Sequence, residues 1–202
     1  MNDNDIIFQS TGGVSANEGF FDNVSDTIRS GIEIGLRGDY GRLDWFINYS
    51  FVNAEFDDPF TATSPNHPFA DDDGEIDVDK GDRIPGIPEN MLKLGTSFAV
   101  TPQLVLGGEI VYNSGQFLRG DEANLLVQTD DFAVVNLRGE YQFNESLTLI
   151  AKLQNLFDVE YETFGLLGEP DEILGPAFDD PRFLGPGPER GAWVGVRVNL
   201  GD

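Results

Sequence analysis

Apolar and polar residues alternate with period two in segment after segment of this chain. That pattern constrains its folding more than any other feature. From Ser30 to Tyr40, Ile32, Ile34 and Leu36 interleave with Gly31, Glu33, Gly35 and Arg37. Leu43, Trp45, Ile47, Tyr49 and Phe51 then oppose Asp44, Asn48 and Ser50, and Leu92, Leu94, Thr96, Phe98 and Val100 oppose Lys93, Gly95, Ser97 and Ala99. The pattern returns over Leu104–Asn113, Val135–Phe143, Leu147–Gln154 and Ala192–Leu200. Successive side chains on a strand point to opposite faces, so each segment reads as a strand with one apolar and one polar face. With a short opening strand over Asp5–Ser10, the sequence predicts about eight antiparallel strands and an all-β fold.

The links between strands say which kind of β fold. Those at Asp39–Arg42, Thr101–Gln103 and Asn144–Ser146 are tight, whereas roughly Thr11–Ser25, Asp57–Glu89, Leu118–Asp130 and Glu162–Glu189 are long. Short and long links alternate, and antiparallel strands place alternate links at opposite ends. One end is therefore trimmed and the other carries large loops, as in outer-membrane barrels. Compact soluble domains seldom carry several loops beyond about 15 residues. The longer segments suffice to cross a bilayer at a tilt, and aromatics gather near strand ends at Tyr40, Trp45, Phe51, Phe56, Phe98, Tyr112, Phe117, Tyr141, Phe143, Phe157 and Tyr161, where interfacial girdles form. The expectation is an antiparallel up-and-down transmembrane β-barrel.

Charge then sorts by position. The formal net charge is −24, from 36 acidic and 12 basic residues, which argues against nucleic acid or an anionic membrane surface as partner. Within strands, Glu33, Arg37, Lys93, Glu109, Arg138, Glu140, Lys152 and Arg197 all fall on the polar face. They are expected to face the lumen, since facing lipid at midplane each would cost about 2–4 kcal/mol. The excess acid lies in the links. Its densest run supplies a candidate divalent-cation set, Asp71, Asp73, Glu75, Asp77 and Asp79. Counting back from Gly74 places Phe69 where an EF-hand loop needs its first ligand, which favours a solvated acidic loop. The chain has no cysteine and one histidine, His67, so thiol chemistry and multi-histidine metal centres are excluded. His67, between Asn66 and Pro68 in the longest link, is expected at the surface. Acidic neighbours such as Asp57–Asp58 and Asp179–Asp180 point to opposite faces if extended and cannot flank one substrate. No phosphate-cradling loop or paired nucleophile and base is found, so no catalytic residue, cofactor or enzyme activity is assigned.

Several segments also resemble a known family. Asn155-Leu156-Phe157-Asp158 with Tyr161 and Phe164-Gly165 is similar to the penultimate-strand motif of TonB-dependent outer-membrane receptors, and Pro188–Arg197 resembles their last strand. Asp82–Pro88 leading into Leu92–Gly95, Tyr112–Phe117 with Arg119–Glu122, Phe132–Leu137, and Asn4–Phe8 fit the same family. The resemblance implies energised uptake of a scarce nutrient (ferric siderophore, haem, cobalamin or glycan) through a plugged barrel of 22 strands. Its implied partners are outer-membrane lipid, the TonB complex acting on a plug, the barrel-assembly machinery and a small nutrient ligand. About eight strands without plug or signal peptide would be the C-terminal third of such a barrel, spanning residues 1–202. Within the motif, Asn155 and Asp158 are expected to satisfy local backbone groups at a strand end. Trp193 falls on the polar face, and Phe60, Phe69, Phe164 and Phe183 are loop aromatics available to a ligand or to local packing. Two other readings remain at this point: a self-contained eight-stranded outer-membrane barrel with a structural or adhesive role, and a soluble lipocalin-like barrel with its apolar face inward.

Overall fold

The computed structural model describes residues 6–10, 19–23 and 26–200. Seven strands form one antiparallel sheet: β3 (Thr27–Tyr40), β4 (Leu43–Phe56), β7 (Asn90–Ala99), β8 (Leu104–Asn113), β9 (Phe132–Gln142), β10 (Leu147–Gln154) and β13 (Gly191–Val198), in the spatial order β13-β10-β9-β8-β7-β4-β3. Every neighbour in the sheet is the next sheet strand along the chain, which is up-and-down topology. Three further two-stranded hairpins stand apart from it: β1 (Ile6–Ser10) with β2 (Gly19–Asn23), β5 (Phe60–Thr63) with β6 (Glu75–Val78), and β11 (Glu162–Leu167) with β12 (Arg182–Pro186). One helical turn, α1 (Pro170–Leu174), lies between β11 and β12.

The tight links are the hairpin loops expected. Gly41 takes φ 65° at the first position of a two-residue loop, a backbone conformation for which such loops select glycine. At the second tight link, Thr101 Oγ1 accepts the backbone N–H groups of Gln103 and Leu104. At the third, Asn144 Oδ1 accepts that of Ser146. Threonine and asparagine at these positions substitute for backbone partners that a sharp turn removes.

Register carries the alternation across all seven strands. Ile34 pairs with Tyr49, Ile47 with Leu94, Leu94 with Ile110, Ile110 with Val135, Leu137 with Leu153, and Leu153 with Ala192. One face is thus apolar from edge to edge, and it is open: Ile32, Ile34, Leu36, Phe98, Leu106, Leu137, Val194 and Val196 are all exposed. An apolar face this wide on a water-soluble sheet would mark an interaction surface. It has the place and extent of the apolar band expected from the sequence. Tyr40, Phe98, Tyr141 and Phe143 are exposed on that face at the tight-turn end, and the rings of Tyr141 and Phe143 meet edge to face at 4.7 Å. Leu94, mid-strand between Ile47 and Ile110, provides a direct check. Leu94→Lys should lower unfolding stability in lipid by about 2–4 kcal/mol, while Lys93→Ala on the other face should change it by at most about 1 kcal/mol. Denaturant titration in liposomes reads the difference.

Three expectations are corrected. The opening strand joins β2 in its own hairpin rather than the main sheet, because a partner a few residues away closes with little loop entropy. The sheet accordingly has seven strands, and among the described residues β3 and β13 each keep one unpaired edge. The long links are also not structureless, since two of them contain hairpins. Finally, Phe56 belongs to no interfacial girdle. It is fully buried with Ala62, Ile76, Val78 and Ala123 in a small core under the β5–β6 hairpin.

Candidate functional site: a charged wall beneath stitched loops

The polar face of the sheet is the first part of the site. Register places Glu33 opposite Ser50, Arg37 opposite Phe46, Asn48 opposite Lys93, Glu109 opposite Asn136, Arg138 opposite Lys152, Glu140 opposite Ile150, and Thr148 opposite Arg197. All eight charged residues singled out from the sequence therefore share one surface. Lys93 Nζ lies 3.2 Å from Glu109 Oε2, and Arg197 Nη1 lies 3.7 Å from Glu140 Oε2. Asn136 Nδ2 donates to Glu109 Oε1 at 3.1 Å, and Arg138 donates to Ser97. Half-exposed pairs like these contribute at most about 1 kcal/mol each. They set the chemistry of the wall more than its stability. Glycines make room for its larger groups, as the Phe46 ring lies across Gly95 and the Arg138 side chain across Gly107. A Cβ at either glycine would sit under 3 Å from the overlying side chain.

The second part is the loop end, where sequence reasoning saw only long acidic links. Three loops are joined there by hydrogen bonds. The loop after β4 folds back on its own strand through Phe56 N–H to Asp82 O and Ile84 N–H to Ala54 O, both 2.9 Å. It reaches the loop after β8 through Ser64 Oγ–H to Gly120 O at 2.6 Å, and Arg83 N–H to Asn124 Oδ1 at 2.6 Å. Asn124 Nδ2 returns a bond to Arg83 O at 2.9 Å. The loop after β8 in turn pairs with β11, with Arg119 N–H donating to Gly165 O and Leu167 N–H to Arg119 O. Gln116 Nε2 also donates to Thr163 O.

At the centre of this crown lies His67, and its expected surface position is corrected. Its side chain and that of Asp121 are both completely buried, with Nε2 3.0 Å from Asp121 Oδ1. Nδ1 accepts the backbone N–H of Phe69 at 3.1 Å, so Nε2 carries the proton and donates to Asp121. Asp121 also accepts the backbone N–H groups of Leu125 and Leu126 at 2.8 and 3.1 Å. Glu122 beside it is buried, and desolvation pushes its pKa above the ordinary carboxylate range. The Asp121 charge adds to that rise, while the backbone N–H groups of Gly120 and Glu122 oppose it. The sequence signal was present: a lone His beside Pro in one loop, and Arg-Gly-Asp-Glu in the next. Nothing local connects them.

The motif residues Asn155 and Asp158 organise the third loop. Asn155 is fully buried at φ 50°, and Asp158 has φ 56°. The Asn155 side chain donates to Val159 O and Pro188 O and accepts from Val159 N–H. Its own N–H donates to Asn136 Oδ1 on the wall at 2.9 Å. Asp158 accepts the Arg190 N–H and pairs with its guanidinium at 3.2 Å. Leu156 N–H bonds Val135 O, and Phe157 is exposed.

The acidic run is not drawn together. Asp71 Oδ1 accepts the N–H groups of Asp73 and Glu75. Glu75 and Asp77 alternate outward along β6 while Ile76 and Val78 turn into the small core. Asp79 N–H is bound by Asp82. Among the described residues no group of three His, Asp or Glu side chains is placed to hold a metal ion. Of the loop aromatics, Phe60 packs edge to face on Phe56 at 4.9 Å. Phe69 is exposed beside His67, Phe164 lies across Gly185, and Phe183 lies across Gly168.

Comparison with known proteins decides the family. Residues 2–156 match the family described as TonB dependent receptor-like, beta-barrel. The chain belongs to this family. This TonB-dependent receptor barrel is 30% identical over 88 residues to the Ferric-pyoverdine 358 receptor of Pseudomonas putida, an alignment covering 42% of the chain and 11% of that receptor. Its fold is similar to that of the siderophore receptor PiuA from Acinetobacter baumannii, with a TM-score of 0.68 at 18% identity over 95% of the chain and 24% of PiuA. It is similar also to that of the copper transporter OprC, with a TM-score of 0.67 at 18% identity over 97% of the chain and 27% of OprC. The chain thus spans about a tenth of the curated relative and about a quarter of these solved barrels. The family is one of outer-membrane β-barrels. The lipocalin-like reading gives way to it. Among the described residues the sheet has seven strands with β3 and β13 at unpaired edges, rather than eight closed on themselves.

Proposed function

We propose that this chain is a segment of the wall and external mouth of a siderophore-type, TonB-dependent transporter. In this reading the charged face lines the lumen against a plug supplied by other sequence, and the stitched loops receive a ferric chelate from outside. Substrate release then depends on the TonB complex pulling that plug, and assembly depends on the barrel-insertion machinery. The observation that carries the reading is the pairing of an exposed apolar face with a continuous charged face over the same seven strands, both edges of the sheet being open to further strands among the described residues. Open sheet edges are untenable in hydrocarbon, so a larger closed barrel satisfies them. The matched receptors for ferric pyoverdine and for other siderophores favour iron chelates over the remaining nutrient classes. A strain deleted for the gene encoding this chain should lose uptake of ⁵⁵Fe from at least one ferric siderophore under iron limitation, and a restored copy should recover it. Unchanged uptake from hydroxamate, catecholate and mixed chelates alike would overturn the proposal.

A further inference from the structure

Two acids stand side by side in the buried crown, and they are not equally answered. Asp121 accepts three donors, His67 Nε2–H and the backbone N–H groups of Leu125 and Leu126. Such a set suits an ionised carboxylate. Glu122 is buried beside it, and its carboxyl meets backbone, the N–H groups of Gly120 at 3.1 Å and of Glu122 itself. His67, in the tautomer that accepts from Phe69, is neutral. Two adjacent buried carboxylates repel when both are ionised, so Glu122 is the member that keeps its proton.

The charged groups on the surrounding elements do not supply a counter-ion. From the loop after β4, Asp79 and Asp82 bring further negative charge. On that loop Lys80 pairs with Asp57 at 2.7 Å, and Arg83 reaches Glu89 at 3.8 Å. Arg119, on the loop of Glu122, lies across Gly86. Residues 165–167 of β11, which pack against this loop, are uncharged.

What Glu122 holds is the point where the three loops meet. Gly120 donates its N–H to Glu122, its carbonyl accepts Ser64 Oγ–H from the loop after β4, and the Leu167 side chain of β11 packs over its α-carbon. Arg119, the preceding residue, bonds β11 in both directions. A neutral carboxyl can remain in this setting. A carboxylate is drawn towards water and away from Asp121, and its departure leaves Gly120 N–H without its partner.

We propose that Glu122 is a proton-operated latch: protonated, it holds Gly120 and with it the junction of the three loops; ionised, it leaves for water and the junction opens. Burial, and then the Asp121 charge, raise its pKa. The stability it contributes is therefore complete below the ordinary carboxylate pKa and is lost as pH rises through the folded one. Asp82 is shifted the same way by burial, so the test compares two proteins at each pH and not one protein at two.

Glu122→Gln keeps the shape and the acceptor but cannot ionise. Hydrogen exchange of the protein in detergent micelles, corrected for the intrinsic effect of pH, reads loop opening at Leu125, Leu126 and Leu167. Between about pH 5 and pH 8 the protection of E122Q relative to wild type should grow, by roughly tenfold for each unit that the folded pKa stands above the unfolded one. A carboxylic-acid C=O band in the infrared difference between the two proteins should titrate with the same midpoint. Amides at Leu94 and Leu137 report whether the variant folds; if it does not, a carboxyl band of the wild type titrating together with its loop protection carries the same decision. A protection ratio that does not change with pH, weaker protection of E122Q throughout, or a band that titrates at the ordinary carboxylate pKa overturns the latch. No ligand enters this measurement, so the latch and the uptake of ⁵⁵Fe can fail independently.

Discussion

Asn155→Ala is expected to be among the most damaging single substitutions in this protein, lowering its unfolding free energy by about 3–5 kcal/mol. Asn155 is fully buried, and its amide satisfies Val159 O, Val159 N–H and Pro188 O. Alanine leaves three backbone groups unpartnered, at about 1–3 kcal/mol for each that water cannot reach. It must also hold φ 50°, a left-handed conformation that asparagine tolerates and alanine resists by about 1–2 kcal/mol. Asn155→Gly separates the two causes: it relieves the backbone and loses the same hydrogen bonds, so it should recover about 1 kcal/mol relative to alanine. Denaturant unfolding in detergent, followed by tryptophan emission, measures both variants. Equal stability of wild type and N155A would mean that the motif is not a structural pin.

Asp121→Ala should have a comparable effect confined to the loops. Asp121 is the common acceptor for His67 Nε2–H, Leu125 N–H and Leu126 N–H. Its removal strands three donors in a site where both side chains of the His67 pair are inaccessible. We expect a local loss of about 3–4 kcal/mol, which for amides that exchange by local opening is a rise of about two to three orders of magnitude in exchange rate. Hydrogen exchange should show it at Phe69, Leu125 and Leu126, while Leu94 and Leu137 in the sheet stay protected. Such a result would establish the loop end of this barrel wall as an ordered platform. In the proposed uptake reading a ligand would then meet a preformed surface and lose less affinity to ordering flexible segments.

The two halves of the molecule were not equally legible. Ile32, Ile34 and Leu36 announce their face to anyone reading every second residue, and the same holds through Val194 and Val196. Glu33, Lys93, Glu109, Arg138 and Arg197 are on the opposite face for the same reason, so their common surface followed from parity alone. The 155–158 motif was recognisable as a string, and a buried Asn is the natural residue for a left-handed corner. The loops gave no comparable signal. Asp57–Glu89 looked like solvated acid, yet it contains a hairpin whose Ile76 and Val78 meet Phe56 and Ala123 from outside that stretch. Four residues of alternation, Glu75 to Val78, are too few to stand out.

His67 marks the boundary most clearly. Its exposure was inferred from its company, Asn66 and Pro68, and its burial is caused by Asp121, 54 positions away. Arg138 and Lys152 tell the same story, because nothing along the chain connects them until register sets them face to face. What the sequence determined by itself was everything with a period: the strands, their two faces, the alternation of short and long links, and therefore a membrane barrel wall. Those features are local, since the pleat repeats every two residues whatever lies beyond. The tertiary structure alone decided the seven-strand sheet with its two open edges, the hairpin that takes Ile6–Ser10 away from it, and the crown joined through Ser64, Asp121, Asn124 and Gln116. A hydrogen bond between loops depends on where the strands beneath hold their ends, and no window along the chain contains both partners.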